Sequence, residues 1–158
     1  MSKKRLYILR HGNAETHNFK NDAARILTQE GIDEITSTAK QFEATGEVID
    51  QIYVSPYVRA QETANHFLTD NKSSNKRDTL DLITPSGTAM EVALWLSQQE
   101  SDTILLITHQ PFASQLIELL ADEILPTDFT MSTATLVALE GEYFATACCS
   151  LRWVIHAK

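Results

Sequence analysis

A histidine flanked by an arginine and a glycine, Arg10-His11-Gly12, closes the apolar run Leu6-Tyr7-Ile8-Leu9. An imidazole can supply a lone pair near neutral pH, and a neighbouring guanidinium can hold an anion. The run reads as a buried strand that delivers these groups to its C-terminal edge, where open α/β sheets bind ligands. Gly12 has no Cβ, so the backbone can turn sharply and a ligand can approach closely. Alone, the tripeptide is better explained as a strand-end histidine beside a solvated arginine. What lies downstream reverses that preference.

Two further junctions have the same grammar. Ile52-Tyr53-Val54 runs into Ser55-Pro56 and puts Arg59 in the first turn of a helix, and Ile104-Leu105-Leu106-Ile107 runs into Thr108-His109-Gln110-Pro111. In a parallel sheet both lie on the same edge as His11. A cation in a first helical turn opposes the helix dipole, so Arg59 is better explained by an anionic ligand than by solvent. His109 alone would be a satisfied core histidine; opposite His11 it points to catalysis. Arg25 by default is a loop cation, His17 stays unassigned, and Glu62, His66 and His156 read as surface or packing residues.

The elements that must position these groups are four strands, at 5–9, 50–54, 79–83 and 102–108, alternating with helical segments. Such alternation predicts an α/β fold with a mainly parallel sheet covered by helices. The first helix starts at the N-cap Thr28, turns Ile32, Ile35, Ala39 and Phe42 inward and stops at Gly46. The second starts at Ser55-Pro56, the third at a capping box Thr88-Ala89-Met90-Glu91, and the fourth after His109 at Gln110-Pro111. Segments 133–140 and 143–154 read as a closing hairpin turned at Glu140-Gly141-Glu142. Residues 69–77 read as a solvated loop.

Residues 1–158 are expected to form one domain. Thirteen basic residues against 21 acidic ones, a net charge of -8, disfavour general binding to nucleic acid or anionic membranes. A phosphate site must then be a local concentration of arginine. The five histidines show no short ligand spacing, so no metal and no cofactor are expected. The adjacent Cys148 and Cys149 read as buried free thiols of a reducing compartment. The basic start precedes an apolar run too short for a signal peptide or a membrane span, which reads as cytoplasmic.

The segments Leu9–Asn13, Arg25–Gly31, Val54–Thr63 and Ile107–His109, in this order and spacing, resemble the histidine phosphatase superfamily. The short chain and the segment Leu82–Gly87 look most like its SixA-type phosphohistidine phosphatases. The resemblance spans nearly the whole chain. It implies a three-layer αβα sandwich of the phosphoglycerate-mutase-like kind, with His11 as nucleophile, Arg10, Arg25 and Arg59 holding the phosphoryl group, and His109 completing the pocket as a charged donor. Gly12 and Asn13 would lie at the pocket, Asn13 as an amide donor on its rim. The implied substrate is a phosphohistidine on another protein, such as a phosphotransfer domain, and the implied state is a monomer. One departure stands out. Ester-cleaving relatives carry a carboxylate after the third strand to protonate the leaving alkoxide, whereas here Asp81 falls within a strand and Glu91 within a capping box. The rival readings are a small-molecule phosphomonoesterase with the same nucleophile and a module that binds a phosphorylated partner without turnover.

Overall fold

A computed structural model describes residues 3–16, 20–69 and 76–158. His17, left unassigned above, lies outside the described residues, as do most of the loop positions between 69 and 77. The strands are β1 (Lys4–Arg10), β2 (Gln51–Val54), β3 (Lys76–Thr79), β4 (Thr103–Thr108), β5 (Leu136–Gly141) and β6 (Ser150–Ile155). The helices are α1 (Gln29–Ala44), α2 (Val58–Leu68), α3 (Ala89–Leu96) and α4 (Phe112–Leu120).

The strands form one sheet in the order β3-β2-β4-β1-β5-β6. The first four are parallel to one another, and β5 runs antiparallel to both β1 and β6. Because side chains alternate across a strand, each central strand feeds two cores. Leu6, Ile8, Ile104 and Leu106 pack with Val92 and Leu96 of α3 and Phe112 and Leu116 of α4. Tyr7, Leu9, Leu105 and Ile107 pack with Ile35 and Phe42 of α1 and Ala60 and Phe67 of α2. Burial on both faces is why β1 and β4 are unbroken apolar runs rather than alternating ones. The result is an αβα sandwich, as the sequence predicts. No helix among the described residues is long and apolar enough to cross a membrane.

Several boundaries differ from expectation. The third strand is Lys76–Thr79, and Asp81–Ile83 is instead a single 3₁₀ turn, so Asp81 is exposed rather than within a strand. Helix α2 begins two residues late, after Tyr57, and the Ser55 hydroxyl bonds to His109 as well as receiving Tyr57 N–H. Thr88 does not cap α3 with its side chain, so Glu91 is not part of a capping box. Strands β5 and β6 are joined by eight residues, 142–149, rather than a tight turn. That connection folds over the end of α4, where Ala147 N–H and Cys149 N–H donate to the carbonyls of Leu119 and Leu120, which the helix leaves free. Cys149 is buried there while Cys148 is exposed, so only one of the two is a core thiol.

At the N-terminal edge of the sheet, Glu47 is the hub of a polar network. Its carboxylate accepts from Tyr7 Oη (2.6 Å), Trp153 Nε1 (3.1 Å) and Arg152, and Arg5 lies 3.4 Å away. Burial pushes the Glu47 pKa up, but the hydrogen bonds from Tyr7, Arg152 and Trp153 and the Arg152 charge outweigh it, leaving the pKa lowered. A carboxylate whose folded pKa is depressed contributes stability above its unfolded pKa and loses it as pH falls through the folded one. Glu47→Ala should therefore cost about 2–4 kcal/mol at pH 7 by urea denaturation, with the gap from the parent closing as pH drops below the usual carboxylate range. A loss under about 1 kcal/mol, or one independent of pH, would show the network to be solvated surface.

Candidate active site

Parallel β1, β2 and β4 all end at one edge, and there His11, Ser55 and His109 follow directly. The chain is locked at this point by backbone bonds: His11 N–H donates to Thr108 (3.1 Å), Ser55 N–H to Ile107 (3.0 Å), and Ala134 N–H to the carbonyls of Arg10 and His11. Ala134, just before β5, is fully buried with a φ of 60°. That left-handed backbone is uncommon for a residue with a side chain and is held here by the surrounding bonds.

His11 is 6% exposed and its Nδ1 lies 2.7 Å from the Gly12 carbonyl. A carbonyl only accepts, so Nδ1 carries the proton. The other nitrogen, Nε2, faces Arg59 Nε at 3.2 Å, a group that only donates. Both contacts fix the same neutral tautomer, with a lone pair on Nε2. Burial first, and then the charges of Arg59, Arg10 and Arg25, push the His11 pKa down to about 4, against the raising effect of the Gly12 carbonyl. The His11 and His109 rings lie 5.1 Å apart, centroid to centroid.

His109 is 1% exposed; its Nε2 lies 2.7 Å from Ser55 Oγ, which also receives Tyr57 N–H. Burial first, then His11 and the three arginines, hold its pKa far below the usual histidine range. His109 is thus neutral in this pocket, and the charged donor expected from the resemblance would need an anion beside it.

The arginines arrive from three directions. Arg59, in the first turn of α2, is 3% exposed and its guanidinium lies over the Tyr57 ring, 4.9 Å from the centroid. Arg10, at the end of β1, donates from Nη1 to the Met131 carbonyl (3.0 Å). Arg25 donates from Nη1 to the Glu15 carbonyl (3.1 Å). Three buried side-chain polar atoms among the described residues have no aligned hydrogen-bond partner: Arg10 Nε, Arg25 Nε and His109 Nδ1. All three belong to residues singled out from the sequence.

Gly12 serves the site differently than expected. A Cβ there would lie 2.6 Å from the Gly31 carbonyl oxygen, so its bareness admits the first turn of α1, and its contribution to chemistry is the carbonyl that holds His11. Asn13 is likewise tied inward: its side-chain oxygen accepts from Thr28 Oγ1 at 2.9 Å and its N–H donates to Glu34. Four further residues surround these groups: Thr63, Glu34 and Asp22, which sequence reasoning did not single out, and Glu62, which it read as surface or packing. Thr63 receives Gly12 N–H and donates to the Arg59 carbonyl, Glu34 reaches Thr133, Glu62 accepts Leu27 N–H, and Asp22 meets both Arg25 and Arg59. Thr63 lies four residues after Arg59, one helical turn along the same face, a spacing that could have revealed it. Asp81 and Glu91 are both exposed, and the hydrogen bonds and ion pairs described for His11, His109 and the three arginines go to other residues. Among the described residues no group of three His, Cys, Asp or Glu side chains could hold a metal ion.

The sequence profile of the histidine phosphatase superfamily (branch 1) matches residues 6–81, a span that includes Arg10, His11, Arg25 and Arg59. The phosphohistidine phosphatase SixA of Escherichia coli (strain K12) is 28% identical over 138 residues, 85% of each chain. The SixA homolog of Haemophilus influenzae is 31% identical over 146 residues, 86% of this chain and 88% of that protein. Among solved structures, the protein histidine phosphatase SixA complexed with tungstate superposes with a TM-score of 0.84 at 24% identity, covering 96% of both chains. A phosphoserine phosphatase from Entamoeba histolytica gives 0.66 at 18% identity over 95% of each. The likeness in sequence runs through the strand ends that carry His11 and His109, and on it the chain belongs to the histidine phosphatase superfamily, as a SixA-like phosphatase.

Proposed function

We propose that this phosphatase removes the phosphoryl group from a phosphohistidine on a partner protein, through a covalent intermediate on His11 and without a metal ion. The observation that carries the reading is the set of unpaired donors around a neutral imidazole. Arg10 Nε and His109 Nδ1 are buried nitrogens without a partner, and Arg25 Nε has only the Asp22 carboxylate, 2.9 Å away and out of line for a hydrogen bond, all beside an Nε2 lone pair. Each unmet buried donor costs about 1–3 kcal/mol, which a phosphoryl group, whose oxygens only accept, would offset on binding.

In the first step His11 Nε2 attacks phosphorus in line as the bond to the substrate nitrogen breaks, and the arginines neutralise charge on the equatorial oxygens. If Ser55 donates its hydroxyl proton to His109 Nε2, then His109 Nδ1 carries the proton and adds a neutral donor. In the second step water attacks the phosphoryl group on Nε2. His11 leaves as a neutral imidazole because Nδ1 has kept its proton on the Gly12 carbonyl throughout, while the proton lost by water ends on product phosphate or solvent. A substrate imidazole with one protonated nitrogen leaves the same way, so the reaction needs no strong acid. The absence of a carboxylate contact from Asp81 or Glu91 supports a P–N substrate over an alkyl ester.

Rapid quenching with labelled phosphoprotein in excess chelator should trap an acid-labile, base-stable phosphate on His11, and His11→Ala should lose both label and turnover. Label on another residue, or activity that needs a divalent ion restored, would sink the mechanism. Nitrogen NMR should find His11 as the Nδ1–H tautomer from pH 8 down to about 5, protonating near 4. Its folded pKa lies below the unfolded value of about 6.5, so the unfolded chain takes up the proton first and stability should decline between those two pH values. Titration near 6.5 would contradict the desolvated site. Finally, Asp81→Asn and Glu91→Gln should leave phosphohistidine turnover within about tenfold of the parent, since a working general acid contributes about 10²–10⁴. Esters should be slow and should quicken as the leaving group becomes more acidic. Fast cleavage of alkyl phosphates, lost with either carboxylate, would favour the small-molecule phosphomonoesterase.

A further inference from the structure

We propose that Asp22 is the positioning residue of the phosphoryl clamp, gripping the outer edge of Arg59 and the flank of Arg25 so that the Nε edge of Arg59 faces the nucleophile. The inference rests on the reading of His11 and the arginines given above, and names the residue that sets their geometry.

A guanidinium presents its five N–H groups along two usable edges, one between Nη1 and Nη2 and one at Nε. In Arg59 the outer edge is wholly taken by a single residue: Nη1 donates to the Asp22 carbonyl at 2.8 Å and Nη2 to Asp22 Oδ2 at 3.2 Å. The Nε–H is left to face His11 Nε2 at 3.2 Å. The same residue reaches Arg25, whose backbone N–H donates to the Asp22 carbonyl at 3.2 Å and whose Nε lies 2.9 Å from Asp22 Oδ1. One residue thus joins two arginines that come from a loop and from a helix. It does so from the rim, with its side chain 58% exposed while that of Arg59 is 4% exposed. An exposed ion pair alone would matter little, but here one partner is buried and held by a fork, which fixes its direction.

The charges are consistent with this. Asp22 offsets one of the three positive charges of Arg10, Arg25 and Arg59, and Glu34 acts on Arg10 from farther off, which leaves a net positive clamp for a phosphoryl group that carries about -1.5 to -2 near neutral pH. Without Asp22 the clamp would hold inorganic phosphate, the product, more tightly while aiming Arg59 less well.

The test combines kinetics with a direct view of Arg59. Asp22→Ala should lower kcat about 10- to 100-fold with KM changed less than about threefold, the range in which small misplacements of reacting groups fall. Asp22→Asn, which keeps an acceptor oxygen, should recover part of kcat but bind inorganic phosphate more tightly than the parent in calorimetry. In an Arg59→Ala background, Asp22→Ala should cost little more, because its effect runs through Arg59. In the intact protein the Arg59 Nε–H should give a resolved NMR resonance that shifts on adding inorganic phosphate, and Asp22→Ala should lose it. That measurement needs no turnover, so a wrong substrate leaves it standing. An unchanged Arg59 resonance or an additive double mutant overturns the proposal. A loss that grows with leaving-group pKa also overturns it, by making Asp22 a proton donor.

Discussion

The hydrogen bond from His11 Nδ1 to the Gly12 carbonyl is the contact on which the rest of the site depends, because it decides which nitrogen of a buried imidazole holds the proton. With Nδ1 committed, the lone pair can only be on Nε2, the atom that faces the arginines. The bond in turn requires the Gly12 peptide to be immobile. Its N–H is held by Thr63 on α2, and its Cα lies so close to the first turn of α1 that no larger residue fits. A substitution on either helix that shifted this peptide would move His11 Nε2 without touching any charged group.

Electrostatics divides the molecule into two ends. At the N-terminal edge of the sheet, Glu47 and Glu140 meet Arg5 and Arg152, so the partly buried charges there answer one another. At the C-terminal edge, Arg10, Arg25 and Arg59 face a single carboxylate that contacts two of them, with Glu34 adding a weaker pull on Arg10. Burial lowers the pKa of both Arg10 and Arg59, against the raising pull of Glu34 on the first and Asp22 on the second. Such an excess is costly in a folded protein and is retained where a ligand supplies the missing charge.

How much of this the sequence disclosed follows from which interactions are local. The strand ends carrying His11 and His109 were legible because a doubly covered parallel strand has to be an unbroken apolar run, and the run stops where the chain meets solvent or ligand. Thr28 was legible as a cap because its partner, Gly31 N–H, is three residues away. The start of α2 was misread because a Ser-Pro pair is a good local N-terminus, and Ser55 does receive Tyr57 N–H, but its hydroxyl also bonds to His109, 54 residues on, a contact no local pattern shows. The third strand was misplaced for a related reason. Leu80, Leu82 and Ile83 are apolar because they pack under α3 and α4, and in sequence that reads the same as a strand. Glu34 was not legible as a site residue and Glu62 read as surface or packing, since each acts on groups that only the folded chain brings near. Asp22 pairs with Arg25 three residues on, but its hold on Arg59 spans 37 residues.

On the proposed mechanism, the neutral tautomer also bears on why a histidine nucleophile would suit a phosphohistidine substrate. A phosphoryl group passing from one imidazole to another meets a leaving group and a nucleophile of nearly equal basicity, so the step is close to balanced and the pocket must supply orientation more than driving force. An alkoxide leaving group would tip that balance by many powers of ten in acidity and would demand a proton at the moment of bond breaking. On that proposal, a pocket built from arginines, with carboxylates turned to holding loops and guanidinium groups, would suit the balanced case. What it gives up in proton delivery it gains in a fixed approach, since every carboxylate in contact with the site residues already has a structural partner.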